Sequence, residues 1–483
     1  EDETQVVSGS PITRDITGEE YYSTLYSLRE SPVQAGVIWT GSNDGPVYVT
    51  RDGGETWDNV TPRGLPSGGR IDSVEPSPHR AGKAYITALR YQFGDWNPYI
   101  FRTEDFGRRW EEITEGIPGD YPVRVVREDP VREGLLFAGT EWGMFVSLDD
   151  GRNWQAFQQN LSVTPITDLK IIRGDLAIST MGRSFWVLDS IATLRDTAFD
   201  TQGDDVLLFA PKDTIRYRNI YSGRSANGVP DYPAPAAIID YYLPENTAGP
   251  IWLEILDANG DLVNAYESKP EDEEDEVDEG DEIVEDMALS QTRMIVNDDL
   301  SQEPGMNRFR WDMKHLGPWD EDEDDSYKNG PLVRPGEYTI RLTANGTTVD
   351  QEFNLVADPR VLAQGTSLED IDEQVAMQLV LVDMLSEARQ FEKEVAEEHD
   401  ALESRSEELT PEEAERLLLV TDVLNEVKDA EIIYPKPMLV RQISFLLNMI
   451  SGADQAPGIE AADRLAELSA DFSELQARYG DGN

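Results

Sequence analysis

One twelve-residue frame limits what this chain can fold into more than any other feature. It occurs as "VTRDGGETWDNV" (49–60), "RTEDFGRRWEEI" (102–113) and "VSLDDGRNWQAF" (146–157). The shared pattern is Ser/Thr-x-Asp-x-Gly-x-x-Trp. Its anchors are Thr50, Asp52, Gly54 and Trp57, then Thr103, Asp105, Gly107 and Trp110, then Ser147, Asp149, Gly151 and Trp154. The aspartates stand 53 and 44 residues apart. In such a turn the Asp carboxylate accepts backbone N–H groups of its own loop. Gly supplies the left-handed backbone of a tight turn. The Trp starts the next strand and is expected to cover the turn with its apolar face. This reads as a folding device rather than a catalytic one.

Between the frames, short alternating apolar runs are separated by turn clusters. "GVIWTGS", "GPVYVTRD" and "TWDNV" are followed by "IDSVEPSP", "KAYITAL", "PYIFRTED" and "RWEEIT". A third unit has "VRVVRED", "GLLFAGTE", "GMFVSLDD" and "NWQAF"; a fourth has "ITDLKII", "DLAISTM" and "SFWVLD". A period near 40–50 residues with four strands marks a propeller blade. About four blades are therefore expected over residues 1–200. Residues 201–360 hold longer alternating strands such as "GPIWLEILD" and "GEYTIRLTA", which read as an antiparallel immunoglobulin-like β-sandwich. Within them "EDEEDEVDEGDEIVED" (271–286) reads as a solvated or disordered insertion rather than a cation trap. "DANGD" (257–261) reads as a hairpin turn, since the Glu that a calcium loop needs is missing. Residues 361–483 carry apolar positions at three- and four-residue steps and read as a helical bundle. Ser367 and Thr410 are expected caps, with Pro411 at a first helical position. The fold class is mainly β and multidomain.

Composition removes several chemistries. The chain has 95 acidic against 41 basic residues and a net charge of −54. The excess extends well beyond the acidic runs 271–286 and 320–325, so the surface repels nucleic acid and anionic membranes. Arg far outnumbers Lys, a balance suited to high salt, where self-repulsion is screened. There is no Cys, hence no disulfide or thiolate site. His79, His315 and His399 lie far apart, so no metal site or cofactor is expected. No apolar run reaches membrane-spanning length. Neither a Gly-x-Ser-x-Gly elbow nor a Gly-rich phosphate loop occurs. The start "EDETQ" reads as that of a processed chain or of a piece of a longer one.

The three frames resemble the Asp-box, or BNR, repeats of sialidases, some endoglucanases and sortilin-type propellers. The order of blades, "GRSFWVLD", a sandwich with "NRFRWD" and "PGEYTIRL", and a helical end resembles the C-terminal half of secreted bacterial sortilin-like proteins, often labelled glycosyl-hydrolase-like. Such propellers close with more than four blades. The resemblance therefore implies that another polypeptide, or an N-terminal half of the same precursor, completes this one. The Arg-Ile-Pro stretch of sialidases is absent. Among so many acids no carboxylate pair can be singled out, so catalytic residues stay unassigned.

The turns between second and third strands should open on the face opposite the frames. They carry Asn43, Asp44, Arg90, Tyr91, Trp96, Glu141, Trp142 and Arg183, aromatics beside charges, as binding surfaces have. The reading preferred from sequence is a non-catalytic extracytoplasmic binding or assembly protein with a protein, peptide or glycan ligand. It would be secreted, periplasmic or on the cell surface of a halophilic bacterium. The alternative is a sialidase- or endoglucanase-like glycoside hydrolase whose catalytic residues lie partly in other blades.

Overall fold

A computed structural model describes residues 24–196, 203, 205–218, 235–268, 300–322, 325–429 and 436–480. The acidic run 271–286, and Glu323 and Asp324 of the second run, lie outside the described residues. The chain divides into two compact units, Glu1–Thr201 and Gln202–Asn483.

The first unit is a succession of antiparallel sheets in chain order. The first sheet has β1 (Leu25–Glu30), β2 (Ile38–Ser42), β3 (Val47–Thr50) and β4 (Asp58–Asn59). The second has β5 (Arg70–Pro76), β6 (Ala84–Leu89), β7 (Ile100–Thr103) and β8 (Glu111–Glu112). The third has β9 (Val123–Glu128), β10 (Leu136–Thr140), β11 (Met144–Ser147) and β12 (Gln155–Ala156). Among the described residues the fourth has β13 (Ile166–Ile172), β14 (Asp175–Thr180) and β15 (Phe185–Leu188), and runs into the short helix α1 (Ala192–Arg195). It has no frame Trp to begin an outer strand. The first strands lie side by side, β1 on β5, β5 on β9 and β9 on β13. The sheets thus fan out from their first strands as propeller blades do.

Alternation along each strand supplies one apolar face to the sheet before and one to the sheet after. Trp39, Val47 and Val49 pack with Ile71, Ile86 and Phe101. Tyr85 and Ile100 pack with Val126, Ala138 and Phe145. Phe137, Met144 and Val146 pack with Ile166, Leu169 and Ile178.

The frame turns are built alike in all three blades. The Thr50, Thr103 and Ser147 hydroxyls each accept the N–H of the frame glycine, 2.9 Å away. Asp52, Asp105 and Asp149 each accept a backbone N–H four residues on, also at 2.9 Å. Hydrogen bonds from Thr56 hold the Asp52 carboxyl well below the usual carboxylate range. The glycines have φ of +101°, +78° and +82°.

The tryptophans do something the sequence did not suggest. Trp110 and Trp154 do not merely cover their own turn; they reach back to the preceding sheet. Trp110 Nε1 donates to the Val60 carbonyl at 2.6 Å, and Trp154 Nε1 to the Ile113 carbonyl at 2.8 Å. A Cβ on Gly107 or Gly151 would collide with Val60 or Ile113 at 2.5 and 2.4 Å. Gly and Trp are therefore part of the contact between blades.

In the second unit, two sheets share one core. One holds β16 (Leu207–Leu208), β18 (Ala237–Leu243) and β21 (Gly305–Trp311). The other holds β17 (Thr214–Arg216), β19 (Trp252–Asp257), β20 (Leu262–Glu267), β22 (Gly336–Ala344) and β23 (Thr347–Ala357). Tyr241, Phe309 and Trp311 meet Leu253, Ile340 and Phe353 between them. One pairing departs from the all-antiparallel expectation: β17 runs parallel to β23. "DANGD" does turn β19 into β20, with Asp257 Oδ1 accepting the N–H of Asn259 and of Asp261 at 2.8 and 3.0 Å.

Helices follow: α2 (Pro359–Ala363), α3 (Leu368–Glu403), α4 (Pro411–Val427), α5 (Leu439–Ile450) and α6 (Ile459–Gly480). Ser367 and Thr410 form capping boxes with Asp370 and Glu413. Leu385, Val423, Ile443 and Leu468 sit in one core shared by α3 to α6. No described helix is long and apolar enough to cross a membrane. Asp454, between α5 and α6, receives Arg216 at 2.8 Å and Arg218 at 2.6 Å, with the Arg216 and Asp454 side chains almost wholly buried.

Two outcomes are expected in urea denaturation. Trp154→Ala should cost about 3–5 kcal/mol, whereas Trp57→Ala, whose indole is 42% exposed, should change stability by less than about 0.5 kcal/mol. Asp454→Asn should cost about 3–5 kcal/mol by leaving Arg216 buried without its counter-charge.

Candidate functional site

Strand alternation puts the loops of the blades on two edges. One edge carries the frame turns and the turns between first and second strands, joined by backbone bonds such as Phe106 N–H to the Gly82 carbonyl and Asp150 N–H to the Gly134 carbonyl, both 2.9 Å. The other carries the turns between second and third strands and the links to the next blade. There Glu141 N–H bonds to the Pro122 carbonyl at 3.0 Å and Met181 N–H to the Pro165 carbonyl at 2.9 Å.

All eight residues singled out in the sequence fall on this second edge, in four successive turns. They differ in how free they are. Asn43 Oδ1 accepts the Thr24 N–H at 3.0 Å, and Asp44 is half-buried beside it. Arg90 is a clamp: Nε meets Asp95 at 2.8 Å, and Nη1 donates to the carbonyls of Pro66, Ser67 and Gly68. Tyr91 and Trp96 lie with ring centroids 6.0 Å apart, and Trp96 is 46% exposed. Trp142 is 41% exposed, and its Nε1 donates to the Asp120 carbonyl at 2.9 Å. Arg183 is exposed. Phe93, not singled out before, adds a third ring to the long loop of the second blade and is 58% exposed. Its place in "LRYQFGDWNP", between two aromatics already noted, was the available signal.

A charged ladder on the first strands escaped the sequence reading, apart from Glu141. Arg124 of β9 binds Glu141 at 2.6 Å and approaches Asp72 of β5 at 3.8 Å; Arg70 meets Asp72 at 2.5 Å. Deeper in, Arg127 of β9 donates to Ser73 and to Asp168 of β13, both at 2.7 Å, and lies 3.5 Å from Glu75. Burial raises the Asp72 carboxyl, with Arg70 opposing. Burial pushes Glu75 up to about 7, with Arg127 and Arg29 pulling the other way. Glu75 is thus a proton donor poised near neutrality, but an arginine holds each carboxylate of the ladder. The available signal was charge at the non-apolar positions of otherwise buried strands, "RIDSVEP" and "VRVVRED".

The second unit holds two further places of note. A cleft of about 330 Å³ is lined by residues including Tyr266, Arg310, His315 and Lys328, where burial lowers His315 to about 4. On α3, His399 Nδ1 meets Asp400 at 3.1 Å and Glu403 at 3.8 Å. These three could share a cation by distance, but both carboxylates are exposed, and nothing further marks a metal site.

No protein-family model matches the sequence. A stretch of 113 residues, 22% of the chain, is 27% identical to the oligoxyloglucan-reducing end-specific xyloglucanase of Emericella nidulans and spans 13% of that enzyme. Among solved structures, YCF48 bound to D1 peptide is similar at 18% identity and TM-score 0.27, covering 47% of this chain and 63% of that one. The GH74 xyloglucanase from Xanthomonas campestris is similar at 15% identity and TM-score 0.29, covering 52% and 43%. PorZ, a surface component of the type-IX secretion system of Porphyromonas gingivalis, is similar at 11% identity and TM-score 0.28, covering 74% and 47%. Likenesses this distant identify no activity.

Glu75 sets a pH dependence. Its folded value of about 7 exceeds its ordinary 4.5, so the folded protein keeps a proton that the unfolded chain releases. That contribution is complete below about 4.5 and is lost as pH rises through about 7. Glu75→Gln should therefore gain stability relative to the parent between pH 5 and pH 8, by up to about 3 kcal/mol, read from urea midpoints at the two pH values.

Proposed function

We propose that this chain is a glycan-engaging part of a glycoside-hydrolase-like protein, with the ligand lying along the loop edge of the blades. The observation that carries this reading is the exposure of Trp96, Phe93 and Trp142 on that single edge. Exposed rings on a surface this rich in charge mark an interaction site, and flat rings with a few fixed polar groups suit sugar faces. The partial relationship to an enzyme that acts on oligoxyloglucan supports a β-glucan class of ligand. Tyr91, Trp96 and Trp142 would stack on sugar rings; Asn43, Asp44, Glu141 and Arg183 would meet hydroxyls; Arg90 would hold the loop in place.

The purely non-catalytic reading, preferred from sequence, comes second here; it is favoured by the arginines that hold Asp72, Glu75, Glu141 and Asp168. In both readings residues 1–200 are Asp-box blades of a larger propeller, completed by another polypeptide or by an N-terminal half of the same precursor. Residues 201–360, as an immunoglobulin-like sandwich, and 361–483, as a helical bundle, are scaffold. We place the protein outside the cytoplasm, secreted or on the surface of a halophilic bacterium, in keeping with its net charge of −54.

The test is affinity electrophoresis and reducing-sugar release with the full chain and xyloglucan in high salt. Retardation by xyloglucan is expected, with Trp96→Ala weakening it at least tenfold, about 1.4 kcal/mol. Release of new reducing ends favours the hydrolase; binding without release favours the non-catalytic reading. Neither binding nor release would sink the glycan assignment.

A further inference from the structure

The first blade carries one half of a contact whose other half it lacks. In every first strand the pairing register slips after its first core residue, so equivalent positions can be matched across blades. The matched pairs are Leu25 and Leu28, Ile71 and Val74, Val123 and Val126, Ile166 and Leu169. The last three pairs face the preceding blade and are at most 2% exposed. Leu25 and Leu28 are 58% and 59% exposed.

The frame residues give the same result by a different chemistry. Trp110 and Trp154 each donate an indole N–H to the carbonyl that follows the preceding blade's outer strand. Trp57, their counterpart, is 42% exposed. Gly107 and Gly151 leave room for Val60 and Ile113 of the preceding blade, whereas a Cβ on Gly54 would come within 4 Å of nothing but Trp57. The first blade thus keeps a glycine and a tryptophan for a neighbour.

We infer that the free face of the first sheet is a blade junction, and that one further four-stranded blade, on polypeptide other than residues 24–196, packs against it. That blade ends its outer strand with an aliphatic residue over Gly54 and offers the carbonyl of that residue to Trp57. The fourth sheet does not fit this role, whether from this chain or from a second copy: among the described residues it lacks the outer strand that would meet Gly54 and Trp57. The inference rests on reading the sheets as blades of a larger propeller and is independent of glycan binding.

The test places the photocrosslinker p-benzoylphenylalanine at Leu28 in the protein as its own cells make it, with the same probe at Phe93 as an off-junction control. The expected product, at Leu28 only, joins this chain to a peptide outside residues 24–196 that lies in a run of four short strands ending in an aliphatic residue. A product with residues 166–188 of the same or a second copy, with a protein of another build, or no product at all, overturns the inference. A second reading uses Trp57→Ala. In that native material it should lower Tm by several degrees, as losing a buried contact does in a domain of this size, and in the isolated 483-residue chain by less than about 1 °C. Equal shifts in both would also overturn it. A blade crosslink without xyloglucan binding would remove only the glycan assignment.

Discussion

The first unit depends on how one sheet seats against the next. A blade of four short strands cannot bury both its faces alone, so each gains stability from its neighbours. The seat has two parts. Near the centre, aliphatic residues of each first strand enter the preceding sheet. At the rim, a frame tryptophan bonds to that sheet's backbone while a frame glycine lets the chains approach. An indole N–H on a carbonyl is directional, and apolar burial is not. Together they set both the strength and the angle of the junction.

Charge follows the same seams. A chain with 41 basic residues against 95 acids places several of its cations between blades. Lys83, 1% exposed, meets Glu128 and Asp150 at 3.0 Å on the frame edge. Arg124 and Arg127 do the corresponding work along the first strands. Buried cations in an acidic protein answer local carboxylates whose own desolvation would otherwise be uncompensated. Glu75 shows the limit of this: its nearest arginine is shared with Asp168, and its proton is held to near neutrality.

The loop edge is then free to vary. Its aromatic residues stand on turns whose bases are fixed by backbone bonds and by Arg90, so rings can be exposed without loosening the blades. Some of this was legible in the sequence. Turn position followed from strand count, so Tyr91, Trp96, Trp142 and Arg183 could be placed on one edge. Their freedom could not be read, because Arg90 resembles a ligand-binding arginine until its carbonyl partners some 22 residues away are known. The pairing within the charged ladder was hidden for the same reason, although its charges stand on otherwise apolar strands.

What the sequence determined by itself is what is decided within a few residues. The Thr50–Asp52–Gly54 turn, the Ser367 and Thr410 caps and the "DANGD" hairpin all close on bonds two to four residues long, so local pattern suffices for them. Tertiary structure alone decided which sheet each tryptophan serves, which arginine neutralises which carboxylate, that β17 lies parallel to β23, and that Asp454 anchors Arg216. Apart from the Arg70–Asp72 and Arg124–Glu141 pairs, these contacts span from about forty to more than two hundred residues of chain. Their partners depend on which faces the fold brings together, and no local periodicity encodes that choice.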